Sequence, residues 1–114
     1  MTVSQLAQAL PLRCFSPGTG DREVCGGYVG DLLSWVMSRA KSKDAWITIM
    51  SNVNVASVAE MTDVACVILA EGVEPDPALM GKLERISAGV YGSPLSAYEV
   101  ANRLHAALQA QVCA

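Results

Sequence analysis

Residues 64–70 read VACVILA, the longest uninterrupted apolar run in the chain. Apolar side chains in unbroken succession place hydrophobic groups on both faces of an extended strand, so neither face can meet water. Strands buried on both faces are typical of parallel sheets that carry helices on each side. The run therefore predicts a central parallel strand. It is much shorter than the roughly 20 residues that a membrane-spanning helix needs, so we expect no membrane association.

The segments around this strand alternate between extended and helical patterns. Further strands are predicted over residues 12–15, 23–29, 45–50 and 90–92, and helices over residues 2–10, 31–43, 54–61, 76–89 and from Ser96 onward. Successive strand–helix units with short connections build parallel sheets. We therefore predict an α/β fold, with a small mostly parallel sheet and flanking helices.

Local signals mark several helix ends and one unusual strand. Thr2 and Gln5 have capping-box spacing, as do Ser96 and Glu99. Asp76 and Pro77 predict a cap followed by proline at the first helical position, and Gly89 is expected to close that helix. Asn54 is expected to cap the helix that follows it. Two adjacent glycines, Gly26 and Gly27, indicate a bulge or a close backbone approach within their strand.

The composition suits one folded domain, which we place at residues 1–114. Hydrophobic residues make up 52% of the chain and charged residues 17%, which excludes intrinsic disorder. The net charge is −3 and the cations form no cluster, so we expect no nucleic-acid partner. The first cation is Arg13, so the N-terminus lacks the basic start of a secretion signal, and we expect a cytoplasmic protein.

The four cysteines, Cys14, Cys25, Cys66 and Cys113, form no C-x-x-C pair. In a cytoplasmic protein this spacing favours reduced, structural thiols over disulfides, a metal site or an iron–sulfur cluster. Cys66 lies inside the apolar run, where a thiol behaves as a small buried hydrophobe. Cys25, beside two glycines, is the thiol that we expect to be accessible.

A ligand is expected where the parallel strands finish, because the loops there lead into helix N-termini. Unsatisfied helix amides beside short polar side chains can hold a phosphate or a carboxylate. The candidate ligand-binding residues are Gly26, Gly27, Asp31, Ser51, Asn52, Asn54, Ser93 and Ser96. For each loop taken singly, helix capping alone explains the same residues.

No catalytic residues are predicted. Gly81-Lys82 is followed by Leu83, so it is not a phosphate-binding loop, and residues 26–30 do not match the dinucleotide fingerprint. His105, the sole histidine, has no motif partner and is expected on the surface of a helix. Trp35 would indicate a protein interface if it were exposed.

Four segments, in order along the chain, resemble DRTGG domains, a family named for a recurring Asp, Arg, Thr, Gly and Gly. They are residues 20–34 (GDREVCGGYVGDLLS), 44–49 (DAWITI), 54–55 (NV) and 96–99 (SAYE) with the helix that follows. Together they cover nearly the whole chain. Cys25 stands where the family usually has Thr, and Asn52 stands where stand-alone members often have His.

The resemblance implies a fold like that of the N-terminal domain of HPr kinase/phosphorylase and a non-catalytic regulatory module. It implies a homodimer and an adenine nucleotide as a regulatory ligand, with no cofactor. Asp21 and Arg22 belong to its structural motif, and a pair between them would fix the loop before Gly26. Stand-alone members often lie beside genes for iron-only hydrogenase subunits and sensor kinases. The alternative is therefore an accessory protein of a hydrogenase or a redox or signalling complex.

Overall fold

The computed structural model describes residues 1–110 and is built around a five-stranded sheet. The strands are β1 (Arg13–Ser16), β2 (Gly26–Val29), β3 (Asp44–Thr48), β4 (Cys66–Leu69) and β5 (Gly89–Gly92). The helices are α1 (Val3–Ala9), α2 (Leu33–Arg39), α3 (Asn54–Thr62), α4 (Pro77–Met80) and α5 (Ala97–Gln109), with a 3₁₀ turn at Leu83–Arg85. The order across the sheet is β1-β5-β4-β3-β2.

The predicted central strand is β4, and all four of its residues are buried. It is paired in parallel with β3 on one side and with β5 on the other. β2 is parallel to β3, and only β1 runs antiparallel, beside β5. The predicted α/β fold with a small mostly parallel sheet is confirmed.

Side chains of the central strands alternate between two separate cores. Val67 and Leu69 belong to the core that α2, α3 and α4 cover. Cys66 and Ile68 belong to the core that α1 and α5 cover. Each central strand is therefore sandwiched between two helical layers, as its apolar sequence requires.

The prediction of a helix over residues 76–89 is wrong beyond the first turn of that helix. Asp76 caps it and Pro77 opens it as expected, but α4 ends at Met80. The residue that follows is Gly81, and a glycine inside a helix costs about 1 kcal/mol relative to alanine. Gly89 lies in β5 and pairs with Cys66, so it does not close a helix.

The glycine pair allows a close approach of backbone and helix, as predicted. A Cβ atom added to Gly27 would lie 2.6 Å from Cδ2 of Leu104, a side chain of α5. A larger residue at this position would require the Leu104 side chain to move.

The described cysteines differ in their burial and in whether the thiol is free. Cys66 is a free, fully buried thiol, and burial raises its pKa to about 12. Cys14 is free and exposed. Cys25 is disulfide-bonded, so the expectation of a reduced thiol there is wrong. Cys113 lies outside the described residues.

None of the helices within residues 1–110 is both long enough and apolar enough to cross a membrane.

Gly18 and Gly20 offer a matched test of the loop between β1 and β2. Both have positive φ angles, +71° and +72°, which cost an L residue about 1–2 kcal/mol. A Cβ atom at Gly18 would also contact the carbonyl oxygen of Ser87 and lie 2.6 Å from the nitrogen of Gly89, whereas nothing lies within 4 Å at Gly20. We predict that Gly20→Ala lowers the free energy of unfolding in urea by about 1 kcal/mol and Gly18→Ala by about 2 kcal/mol more. Equal losses would contradict the packing of this loop on β5.

Burial predicts that Cys66 is protected from alkylation. The folded protein, treated with iodoacetamide at about pH 8, should be modified at Cys14 and not at Cys66, because the raised pKa keeps the buried thiol protonated. Urea should expose Cys66 to modification, and peptide mass mapping measures both sites. Cys14 is the internal control, and rapid labelling of Cys66 in the folded protein would show that β4 is not central.

Candidate functional site

The four parallel strands end along one side of the sheet, which we call the carboxyl edge. Main-chain hydrogen bonds of 2.9–3.0 Å join the loops there, from the amides of Ala70, Gly72 and Asp76 to the carbonyls of Thr48, Ser93 and Ser51, respectively. The loops therefore form one connected surface.

Asp31 ties the end of β2 to the end of β3. Its Oδ1 accepts hydrogen bonds from the Thr48 hydroxyl at 2.8 Å and from the Ile49 amide at 3.0 Å. Thr48 is buried, so its hydroxyl has no access to water and depends on this acceptor. Asp31 thus lies at the carboxyl edge as expected, and its carboxylate holds two loops together.

The loop of Ser51, Asn52 and Asn54 leads into α3. Oδ1 of Asn52 accepts a hydrogen bond from the Asn54 amide at 2.9 Å. The prediction that Asn54 caps the helix is wrong: the cap position is Val53, which has no side-chain acceptor, and Asn54 is the first helical residue. The next amide, that of Val55, donates to the Asn52 carbonyl at 3.1 Å. The amides of Asn54 and Val55 are therefore already satisfied by the protein.

Ser93 and Ser96 shape the loop between β5 and α5. Ser93 is buried, and its hydroxyl accepts a hydrogen bond from the Leu95 amide at 3.1 Å. Ser96 caps α5, because its hydroxyl accepts from the Glu99 amide at 3.2 Å, which is the helix-capping half of the predicted box. Both hydroxyls are used as acceptors within the protein.

Gly26 and Gly27 lie apart from the other candidates. They begin β2, opposite Asp44 and Ala45, so they belong to the end of the sheet away from the carboxyl edge. They line a groove of about 400 Å³ between β2 and α5. His105 also lines this groove, and its Nε2 lies 3.3 Å from Nε2 of Gln109.

Asp21 and Arg22 do not form an ion pair with each other, so the loop before Gly26 is not fixed by the pair that was expected there. Oδ1 of Asp21 accepts a hydrogen bond from the Ser4 amide at 3.0 Å, in the first turn of α1, and this bond lowers the pKa of the carboxyl. The Arg22 guanidinium donates to the carbonyls of Asp63 and Val64 at 2.8 and 2.9 Å and pairs with the Asp63 carboxylate at 3.1 Å. The two residues thus bind the chain before β2 to α1 and to the start of β4.

A small crevice opens at the carboxyl edge beside β1, β4 and β5, and we call it the switch-point crevice. Its volume is about 190 Å³. The lining residues are Arg13, Phe15, Gly72, Val73, Glu74, Gly92, Ser93 and Pro94. Ser93 is the candidate that the sequence placed here.

The charged and aromatic residues of this crevice were not predicted from the sequence. Arg13 pairs with Glu74 at 3.1 Å, and its guanidinium carbon lies 4.8 Å from the centre of the Phe15 ring. Arg13 reaches the carboxyl edge because β1 is antiparallel to β5 and places it opposite Gly92. Arg13 could have been placed at this edge from the order of the strands in the sheet, and that order was not predicted.

Four exposed apolar side chains belong to β2, to α2 or to the residues next to α2 and β3 in the sequence. They are Val29, Leu32, Trp35 and Ile49, which we call the edge patch. Trp35 is 52% exposed, and the Arg39 guanidinium carbon lies 3.9 Å from its ring centre. Within residues 1–110, β2 is paired with β3 alone and is an edge strand. A protein interface was expected if Trp35 were exposed, and Trp35 is exposed.

No group of three or more His, Cys, Asp or Glu side chains that could hold a metal ion occurs among the described residues.

No protein-family model matches the chain, and no curated protein matches it significantly. A solved structure does match: the crystal structure of the CBS and DRTGG domains of the regulatory region of Clostridium perfringens pyrophosphatase, complexed with the activator diadenosine tetraphosphate. The likeness has a TM-score of 0.67 at 10% sequence identity and covers 90% of this chain and 45% of that chain. This chain therefore has an α/β fold that is also present in that regulatory region.

Proposed function

We propose that the chain is a non-catalytic regulatory module that self-associates and binds a small anionic ligand such as an adenine nucleotide. The observation that carries the proposal is the fold shared with a regulatory region that was crystallised with a dinucleotide activator. The polar loops and the crevice at the carboxyl edge supply a place for a ligand.

The carboxyl edge supports binding better than catalysis. The Asp31 carboxylate and the hydroxyls of Ser93 and Ser96 are engaged as hydrogen-bond acceptors for protein donors, and the charged side chains of Arg13 and Glu74 pair with each other. A nucleophile needs an adjacent base, and His105 lies instead in the groove between β2 and α5.

The loops of the carboxyl edge are mostly acidic, with Asp31, Glu71, Glu74 and Asp76 in them. The protein has a net charge of −3, so attraction of an anion depends on a local cation. Arg13 supplies one, and its side chain is 67% exposed.

Self-association is proposed through the edge patch, with a second copy of the chain as the occupant. Exposed tryptophans are enriched at interfaces because they bury a large area with little loss of conformational freedom. An open edge strand also offers main-chain groups to a neighbouring chain. The accessory alternative, with a hydrogenase or kinase as partner, would use the same patch.

The ligand is tested by thermal unfolding with AMP, ADP, ATP and acetyl phosphate. A ligand present at 100 times its dissociation constant should stabilise the protein by about 2.7 kcal/mol, seen as a rise in Tm. Sodium sulfate at matched ionic strength is the control for general salt effects. The ligand proposal fails if none of the four compounds raises Tm beyond the sulfate control.

The interface is tested by sedimentation of the wild type and of Trp35→Ala. We predict a concentration-dependent dimer whose dissociation constant rises by at least about tenfold in the variant, because a central tryptophan often contributes 2 kcal/mol or more. Tyr98→Ala is the matched control, since Tyr98 is an aromatic residue 78% exposed on α5, outside the edge patch.

A monomeric wild type at every concentration would contradict self-association. Co-purification from the native cell would then test the accessory alternative.

A further inference from the structure

A groove lies on the surface between α3 and the 3₁₀ turn, and we call it the basic groove. Its volume is about 410 Å³, which is within the roughly 300–1,000 Å³ of most binding sites. Its lining includes Ala56, Glu60, Met61, Lys82, Arg85 and Ile86. It shares no lining residue with the switch-point crevice or with the edge patch.

Both walls of the basic groove are anchored to the rest of the protein. Ala59 of α3 and Leu83 and Ile86 of the turn region are buried in one core. Oε1 of Glu60 also accepts hydrogen bonds from the Ser87 amide at 2.6 Å and from the Ser87 hydroxyl at 3.3 Å, which joins α3 to the chain after the turn. The groove is therefore already formed in the free protein, so a partner can bind without ordering it first.

Lys82 and Arg85 bring two positive charges to one wall of the groove. Lys82 is the cap of the 3₁₀ turn and Arg85 is its last residue, and side chains three residues apart are aligned in a 3₁₀ helix. Both side chains are exposed, and among residues 1–110 neither of them takes part in an ion pair. Both charges are therefore available to the carboxylates of another molecule.

The groove also offers apolar surface beside these charges. Ala56 and Ile86 are buried lining residues, and Met61 is 69% exposed. A methionine side chain is flexible and polarizable, so it adapts to the shape of an apolar group that packs on it. Apolar surface next to two cations suits an amphipathic segment with acidic residues.

Charge decides between the classes of occupant. The chain has a net charge of −3, whereas the groove is lined by two cations and one carboxylate. A two-fold symmetric contact with a second copy would place Lys82 and Arg85 against the same two cations, which is unfavourable. Among the described residues no aromatic side chain lines the groove, so it lacks the stacking surface typical of single-stranded nucleic-acid sites.

We propose that the basic groove binds an acidic segment of a partner protein, with an apolar side chain of that segment on Met61 and its carboxylates paired with Lys82 and Arg85. The interaction is additional to the proposed function and does not depend on it.

The test is fluorescence anisotropy of the full chain with three labelled synthetic peptides, in which a central phenylalanine is flanked by glutamates, by glutamines or by lysines. We expect the glutamate peptide to bind about tenfold more tightly than the glutamine peptide, because it gains two exposed ion pairs, and the lysine peptide not to bind. Salt at about 1 M screens charges beyond about 3 Å and should remove the preference for glutamate.

The cations are tested by the double variant Lys82→Gln, Arg85→Gln, which should bind the glutamate and glutamine peptides equally. Its matched control is Lys41→Gln, Arg103→Gln, which removes one exposed lysine and one exposed arginine outside the groove and should bind as the wild type does.

The apolar contact is tested by Met61→Gln, which should weaken both the glutamate and the glutamine peptide. Met80→Gln is the matched control, because Met80 is also exposed and does not line the groove. Circular dichroism of each variant checks that the fold is retained.

The inference is overturned if no peptide binds the wild type, or if the double variant Lys82→Gln, Arg85→Gln retains the preference for glutamate. It is also overturned if inorganic phosphate or a single-stranded RNA oligonucleotide binds as tightly as the glutamate peptide. The proposed function is measured separately, by the response of Tm to nucleotides and by sedimentation, so either result leaves it intact.

Discussion

The burial of β4 on both faces is the constraint on which the rest of the molecule depends. Cys66 and Ile68 need one covering layer and Val67 needs another, so helices must lie on both sides of the sheet. The connections between the parallel strands supply the first layer, and the second is left to α1 and α5 at either end of the described chain. Because α5 must change face after β5, the crevice at the carboxyl edge follows from the same burial.

Much of the fold could be predicted from the sequence because its strongest signals are local. The unbroken apolar run of β4 and the Thr2 and Asp76 caps depend only on neighbouring residues, and all are present in the structure. The predictions that failed involved competition between local and tertiary effects. Gly89 has the residue type of a helix end, yet pairing with Cys66 places it in a strand.

The position of the candidate site in the fold was predictable from the sequence, but several of the residues that line it were not. The rule that loops follow the carboxyl ends of parallel strands correctly located Asp31 and Ser93 at one edge. It misplaced the glycine pair. The strand was predicted to begin at residue 23, but β2 begins at Gly26, so the two glycines lie at the start of the strand and not at its carboxyl end. It could not find Arg13, which comes from a different part of the chain and joins the edge only through antiparallel pairing with β5.

The pairing of β1 with β5 has a consequence for the order of folding. Each strand from β2 to β5 pairs with the next strand along the chain, whereas Arg13 and Gly92, which pair between β1 and β5, come from distant parts of the sequence. Long-range pairing of this kind carries the largest loop-closure entropy and tends to form late. One wall of the crevice belongs to β1, so the crevice exists only in the completed fold. A molecule bound there would hold β1 against β5 and would therefore stabilise the whole domain against unfolding.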